Sequence, residues 1–163
     1  MRPLTPRLPV RPRLQPADLG LQLADHDERA LFGWFLACFL AGKRIRQGVA
    51  LRTWAVIYRD HGCRTAARLG ARSHGQLVRW LGEGGYRRYD QSTATLLRQF
   101  CDTLQQQYGG GILGVRAASG DRAGFERRLL VFGGVGPVTL RIFMEAAAPV
   151  LFPRPDRRLQ RRV

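Results

Sequence analysis

The chain has 163 residues, 45% of them hydrophobic, enough for one compact domain with its own core, or one and a small annex. Its 27 basic against 12 acidic residues give a formal net charge of +15, an excess that favours a polyanionic partner because each neutralised phosphate releases counterions. Cys38, Cys63 and Cys101 are far apart with no CxxC, which argues against a disulfide framework or zinc site and fits a reducing cytoplasm; no apolar run reaches the ~18 residues of a membrane span.

Residues 1–17 hold five prolines and four arginines, and proline breaks both helix and sheet, so they read as an extended basic arm. No long apolar stretch precedes residue 31, a poor match to a signal peptide. Asp27 then precedes a helix that is apolar on nearly all sides through Leu31, Phe32, Trp34, Phe35, Leu36, Cys38, Phe39 and Leu40, and such a helix belongs at the centre of a core. Gly42 ends it. A second helix is expected over residues 44–59, with Ile45, Val49, Trp54 and Ile57 inward, stopped by His61-Gly62. A short helix over 65–69 follows, and Ser73 caps another that carries Leu77, Val78, Trp80 and Leu81 up to the break at residues 82–85. Ala94, Leu97, Cys101, Leu104 and Tyr108 recur at helical spacing over 89–108, and three glycines close that helix. Residues 112–120 read as a loop. Asp121 caps a helix through Phe125, Leu129 and Phe132, and a last helix, 138–147, is expected to end before Pro149. No stretch alternates with period two over a useful length. The fold class is all-α, organised as a basic arm (1–17), a helical domain (18–150) and a basic tail (151–163).

Within 129–140 a helix stops at paired glycines, and Pro137 stands where a first helical turn begins, the place proline is best tolerated. Gly134 and Gly136 permit positive φ and leave no side chain in the way. A hairpin this tight aims free backbone N–H groups outward, and with the dipole of the next helix they suit a phosphate without reading bases. The same glycines also suit a plain tight turn between two packed helices.

The segment Phe132-Gly133-Gly134-Val135-Gly136-Pro137-Val138-Thr139 looks like the "LPGVGxxTA" hairpin of the helix-hairpin-helix DNA glycosylase superfamily, the superfamily of endonuclease III. The resemblance extends over roughly 29–158. Residues 35–40 are similar to the first barrel helix, Leu77 to Leu81 with Gly85-Tyr86 to the stretch before the long helix, and Tyr108-Gly109-Gly110 to its end. It implies a six-helix-barrel-type domain, endonuclease III-like, with the helix-hairpin-helix at 122–147, and base-excision chemistry on double-stranded DNA: the base is flipped out and its glycosidic bond cut.

The family's catalytic aspartate lies about 18 residues after the variable hairpin position. That position is Val138, and Asp156 stands 18 residues on. A carboxylate there would stabilise the positive charge growing on the deoxyribose and orient water; a surface aspartate paired with Arg157 or Arg158 is the plainer alternative. Valine at 138 cannot form the Schiff base of the family's strand-cleaving members, so no lyase activity is expected. The four closely spaced cysteines of the family's iron–sulfur loop are absent, so no cluster or other cofactor is expected, and no metal. DNA contact falls to Gly134, Val135, Gly136, Val138 and Thr139 of the hairpin, to Lys43 (the only lysine) and Arg44 of the turn after the first barrel helix, and to Tyr86 and Arg87 of the run Tyr86-Arg87-Arg88-Tyr89, where aromatics interleave with cations and can stack on a base or bind backbone; a helix start with buried tyrosine rings is the plainer alternative there. Two function classes stay open: a monofunctional DNA glycosylase with Asp156 as its carboxylate, and a non-catalytic DNA-binding relative. An RNA-binding or ribosome-associated protein fits the charge but not the hairpin.

Overall fold

The computed structural model describes residues 13–154, and among them every regular element is helical. In chain order the helices are α1 (Glu28–Ala41), α2 (Gln47–Trp54), α3 (Ala66–Gly70), α4 (His74–Glu83), α5 (Asp90–Gln107), α6 (Ile112–Ala117), α7 (Arg122–Val131) and α8 (Pro137–Leu151). A 3-10 turn, Pro16–Leu19, precedes α1, and α2 widens into a π-helical segment, Ala55–Asp60. None of these helices is long and apolar enough to cross a membrane.

Helix α1 is the axis of the molecule. Asp27 caps it by accepting the Ala30 N–H at 3.1 Å, and every residue from Ala30 to Leu40 is buried. A helix buried on all sides needs neighbours all round. Helices α2, α6 and α8 supply them, with Tyr58 of the π segment against Gly33 and Arg29, while α5 lies across α3 and α4. The rings of Phe35 and Phe100 lie 5.2 Å apart, those of Phe35 and Phe143 5.3 Å, so α1, α5 and α8 meet in one aromatic layer. On the opposite side Gly33 lets the π segment come close: a Cβ there would meet the Tyr58 ring at 2.6 Å. Trp54 Nε1 donates to the Gly33 carbonyl at 2.8 Å and the Tyr58 hydroxyl to the Arg29 carbonyl at 2.7 Å. Thus both rings bury an apolar body and pair their polar tip.

Four boundaries differ from the sequence expectation. The second helix starts at Gln47, leaving Lys43 to Arg46 in a turn. Residues 112–117 are helical, not loop: the Glu28 carboxylate caps α6 by accepting the N–H groups of Ile112 and Leu113 at 2.6 and 2.9 Å. The last helix passes through Pro149 to Leu151. Proline there faces solvent in the final turn and removes one hydrogen bond, while buried Leu151 and the Phe152 ring, 5.4 Å from Phe125, hold that turn down. At the N-terminal edge Leu14 is buried and Arg13 pairs with Glu145 of α8, so residues 13 and 14 lie on the domain.

Candidate nucleic-acid interface

Residues 132–136 join α7 to α8. The Phe132 N–H donates to the Leu129 carbonyl and the Phe132 carbonyl accepts the Val135 N–H, both at 3.1 Å, which turns the chain within a few residues. The Phe132 ring stands edge-on to Phe100 at 6.2 Å and anchors the turn in the core. Gly134 has φ +83°, and a Cβ on it would meet the Phe39 ring at 2.8 Å, so both conformation and space call for glycine. Gly136 differs. Its φ of −104° suits any residue, and a Cβ would meet nothing within 4 Å. The expectation of positive φ at both glycines therefore holds for Gly134 alone; Gly136 leaves open space ahead of α8.

That space is a shallow cavity of about 370 Å³, lined by Gly42, Lys43, Gly134, Gly136, Pro137 and Val138 together with the backbone on either side. The first bond into α8 runs from the Leu140 N–H to the Gly136 carbonyl at 3.0 Å, so the N–H groups of Val138 and Thr139 precede any intrahelical partner. Pro137 at the first helical position has no N–H to satisfy. Lys43 reaches across from the α1–α2 turn. Its Nζ donates to the Gly134 carbonyl at 3.3 Å and lies 5.3 Å from the centre of the Phe39 ring. Burial lowers its ammonium from the ordinary lysine value. The cavity thus combines a helix N-terminus with a fixed cation, both suited to an anion.

The other hairpin residues divide by orientation. Val138 is 47% exposed at the cavity edge, whereas Val135 and Thr139 turn their side chains inward. Gly42 accommodates Thr139: a Cβ at 42 would overlap the Thr139 hydroxyl oxygen. Contact with a ligand at 135 and 139 is therefore confined to backbone, and the Thr139 side chain seats α8 on the end of α1. Arg44 and Arg87 are exposed. Tyr86 corrects an expectation. It is fully buried, its hydroxyl donates to the Leu40 carbonyl at 3.4 Å, and burial pushes its phenol up to about 12. A ring without exposed surface cannot stack on a base. Asp156 lies outside the described residues.

These contacts draw three connections to one end of the molecule. Lys43 and Gly42 tie the hairpin to the α1–α2 turn, Tyr86 ties the α4–α5 loop to the last turn of α1, and Leu96 of α5 packs under Gly133 and Gly134. Arg46 of the α1–α2 turn, and Arg88 and Tyr89 of the run in which aromatics interleave with cations, are exposed on these same connections. Among the described residues none of Lys43, Arg44, Arg46, Arg87 and Arg88 takes part in a salt bridge, so no carboxylate there neutralises their charge. No local signal separates Tyr86 from Tyr89. The Leu40 carbonyl that draws Tyr86 inward is 46 residues away in sequence.

Comparison with protein-family models, with curated proteins and with solved structures gives no match.

Proposed function

We propose that this chain binds duplex DNA by gripping its phosphate backbone with the α7–α8 hairpin, as a helix-hairpin-helix protein of the glycosylase type with an endonuclease III-like helical domain. One observation carries the reading: the cavity in front of α8 is open at Gly136, bordered by unbonded amides and by Lys43. A phosphate oxygen placed there meets N–H donors, the positive end of a 15-residue helix and an ammonium group. None of these reads a base, so binding is expected to show little sequence preference.

Gly136→Asp tests this without disturbing the core. The backbone at 136 accepts any side chain and there is room for one. Aspartate is a favoured helix N-cap and glycine only slightly poorer, so the substitution should leave stability unchanged or raise it by about 0.3 kcal/mol. It also places a carboxylate where the phosphate would sit. Duplex affinity at fixed salt should fall by about 10-fold or more, roughly a lost charge-assisted contact. A variant that melts normally and binds duplex DNA as tightly as the parent would remove the hairpin from the interface.

A second reading adds chemistry, hydrolysis of an N-glycosidic bond with Asp156 as the carboxylate. Its support is the 18-residue interval from Val138 to Asp156, together with the family resemblance. Base release should be measured on deaminated, alkylated and oxidised duplexes. Asp156→Asn should abolish it and leave duplex binding intact. An equally active variant would dismiss Asp156, and release of no base would leave DNA binding as the whole function. With valine at 138 no strand scission by β-elimination is expected.

A further inference from the structure

We infer that Tyr89 is a stacking platform for an unpaired base, so that the DNA partner is a duplex with a bulge, gap or displaced nucleotide beside the gripped phosphate. The inference rests on the DNA-binding reading above and deepens it.

Tyr89 is the one non-glycine with positive φ among the described residues, at 66°. The left-handed region places Cβ against the carbonyl that follows, and a bulky side chain enters it only when the surroundings insist. Local bonding uses the backbone of Tyr89, not its ring: its carbonyl accepts the Thr93 N–H at 2.9 Å and the Ser92 hydroxyl at 3.1 Å. The ring makes no capping bond to α5 and joins no core cluster; the residue is 48% exposed. Its neighbour Tyr86 is the one that serves the fold. An aromatic ring held out of the core at a conformational cost points to a partner.

The guanidinium of Arg88 lies 5.3 Å from the centre of the Tyr89 ring. That contact stiffens the ring and sets a cation beside it. The loop bearing both is fastened by Tyr86 to the end of α1, and the turn that begins there carries Lys43 to the hairpin. A backbone phosphate in the hairpin cavity and a base on Tyr89 are thus offered to one nucleic acid at one end of the molecule.

Stacking chooses the ligand class. Inside an intact duplex each base shows the protein only its edges, since both π-faces are covered by neighbouring bases. A tyrosine ring finds a free π-face only where a nucleotide has left the stack. Such contact is sequence-tolerant, because every base has a π-face, and is worth about 10-fold in affinity per base. Arg88 can meet the phosphate flanking that nucleotide.

The experiment uses the full chain and two duplexes of the same sequence, one intact and one with a single bulged 2-aminopurine. The parent should bind the bulged duplex about 10-fold more tightly and quench its fluorescence. Tyr89→Ala should abolish both preference and quenching and keep the affinity for the intact duplex. Tyr89→Trp should retain both. Tyr89→Gly should lose the preference while melting at a higher temperature, since glycine accepts positive φ freely, and so separates lost stacking from lost fold. Equal binding of the two duplexes by the parent, or a preference that survives in Tyr89→Ala, overturns the stacking role and leaves the hairpin grip standing. Binding of neither duplex overturns both readings.

Discussion

Glu28 shows how one side chain can serve two elements. It opens α1, and its carboxylate reaches residues distant in sequence to accept two amide N–H groups at the start of α6. Burial raises its pKa from the ordinary value, opposed by the bonds from Leu113 and Ile112 and assisted by Asp27. The sign follows from linkage. A carboxyl whose folded pKa is raised contributes stability that is full below its unfolded pKa and lost as pH rises through the folded one. Urea midpoints of the parent and Glu28→Gln, compared from about pH 4 to pH 7, should therefore drift in favour of the variant as pH rises. Glu28→Ala leaves both amides without an acceptor and should cost about 1–3 kcal/mol by denaturant titration. Nothing in the local sequence around Glu28 marks it as the cap of another helix. The acceptor role depends on where α6 lies.

Among elements, the seat of α8 on the end of α1 couples fold and interface. Gly42 closes α1 and touches Thr139 in the first turn of α8, with no room for a methyl group. Gly42→Ala should push the hairpin away from the α1–α2 turn, costing about 1–3 kcal/mol. It should also weaken the Lys43 contact with the Gly134 carbonyl, lowering both the melting temperature and duplex affinity. An unchanged melt would mean that this seam relaxes freely. Helix starts with a local cap were legible: Asp27, Thr65, Ser73 and Asp121 each accept the N–H three residues on. The start of α6 was not, because its cap comes from α1. The end of α8 was not, because packing of Leu151 and Phe152 outweighs the single hydrogen bond lost at Pro149.

For the molecule as a whole, charge matters through its distribution. A net charge of +15 alone predicts attachment to any polyanion. Lys43, Arg44, Arg46, Arg87 and Arg88 sit on two connections that meet the hairpin at one end, without salt-bridge partners among the described residues. Duplex affinity should fall linearly with the logarithm of salt concentration, and Arg87→Gln should reduce that slope by about 1, the share of one phosphate contact. A flat salt dependence in the parent would deny the phosphate grip.

The sequence by itself determined the helical class, the central place of α1, most helix starts and the position of the hairpin. Those features are written in local periodicity, local caps and the conformational freedom of glycine, which need no distant partner. Only the tertiary structure decided that Gly134 and not Gly136 is conformationally bound, that Tyr86 turns inward while Tyr89 is left outside, and that Lys43 meets the hairpin. Each of those outcomes depends on residues tens of positions apart competing for the same space or the same carbonyl, and such competition is settled only once the helices have packed.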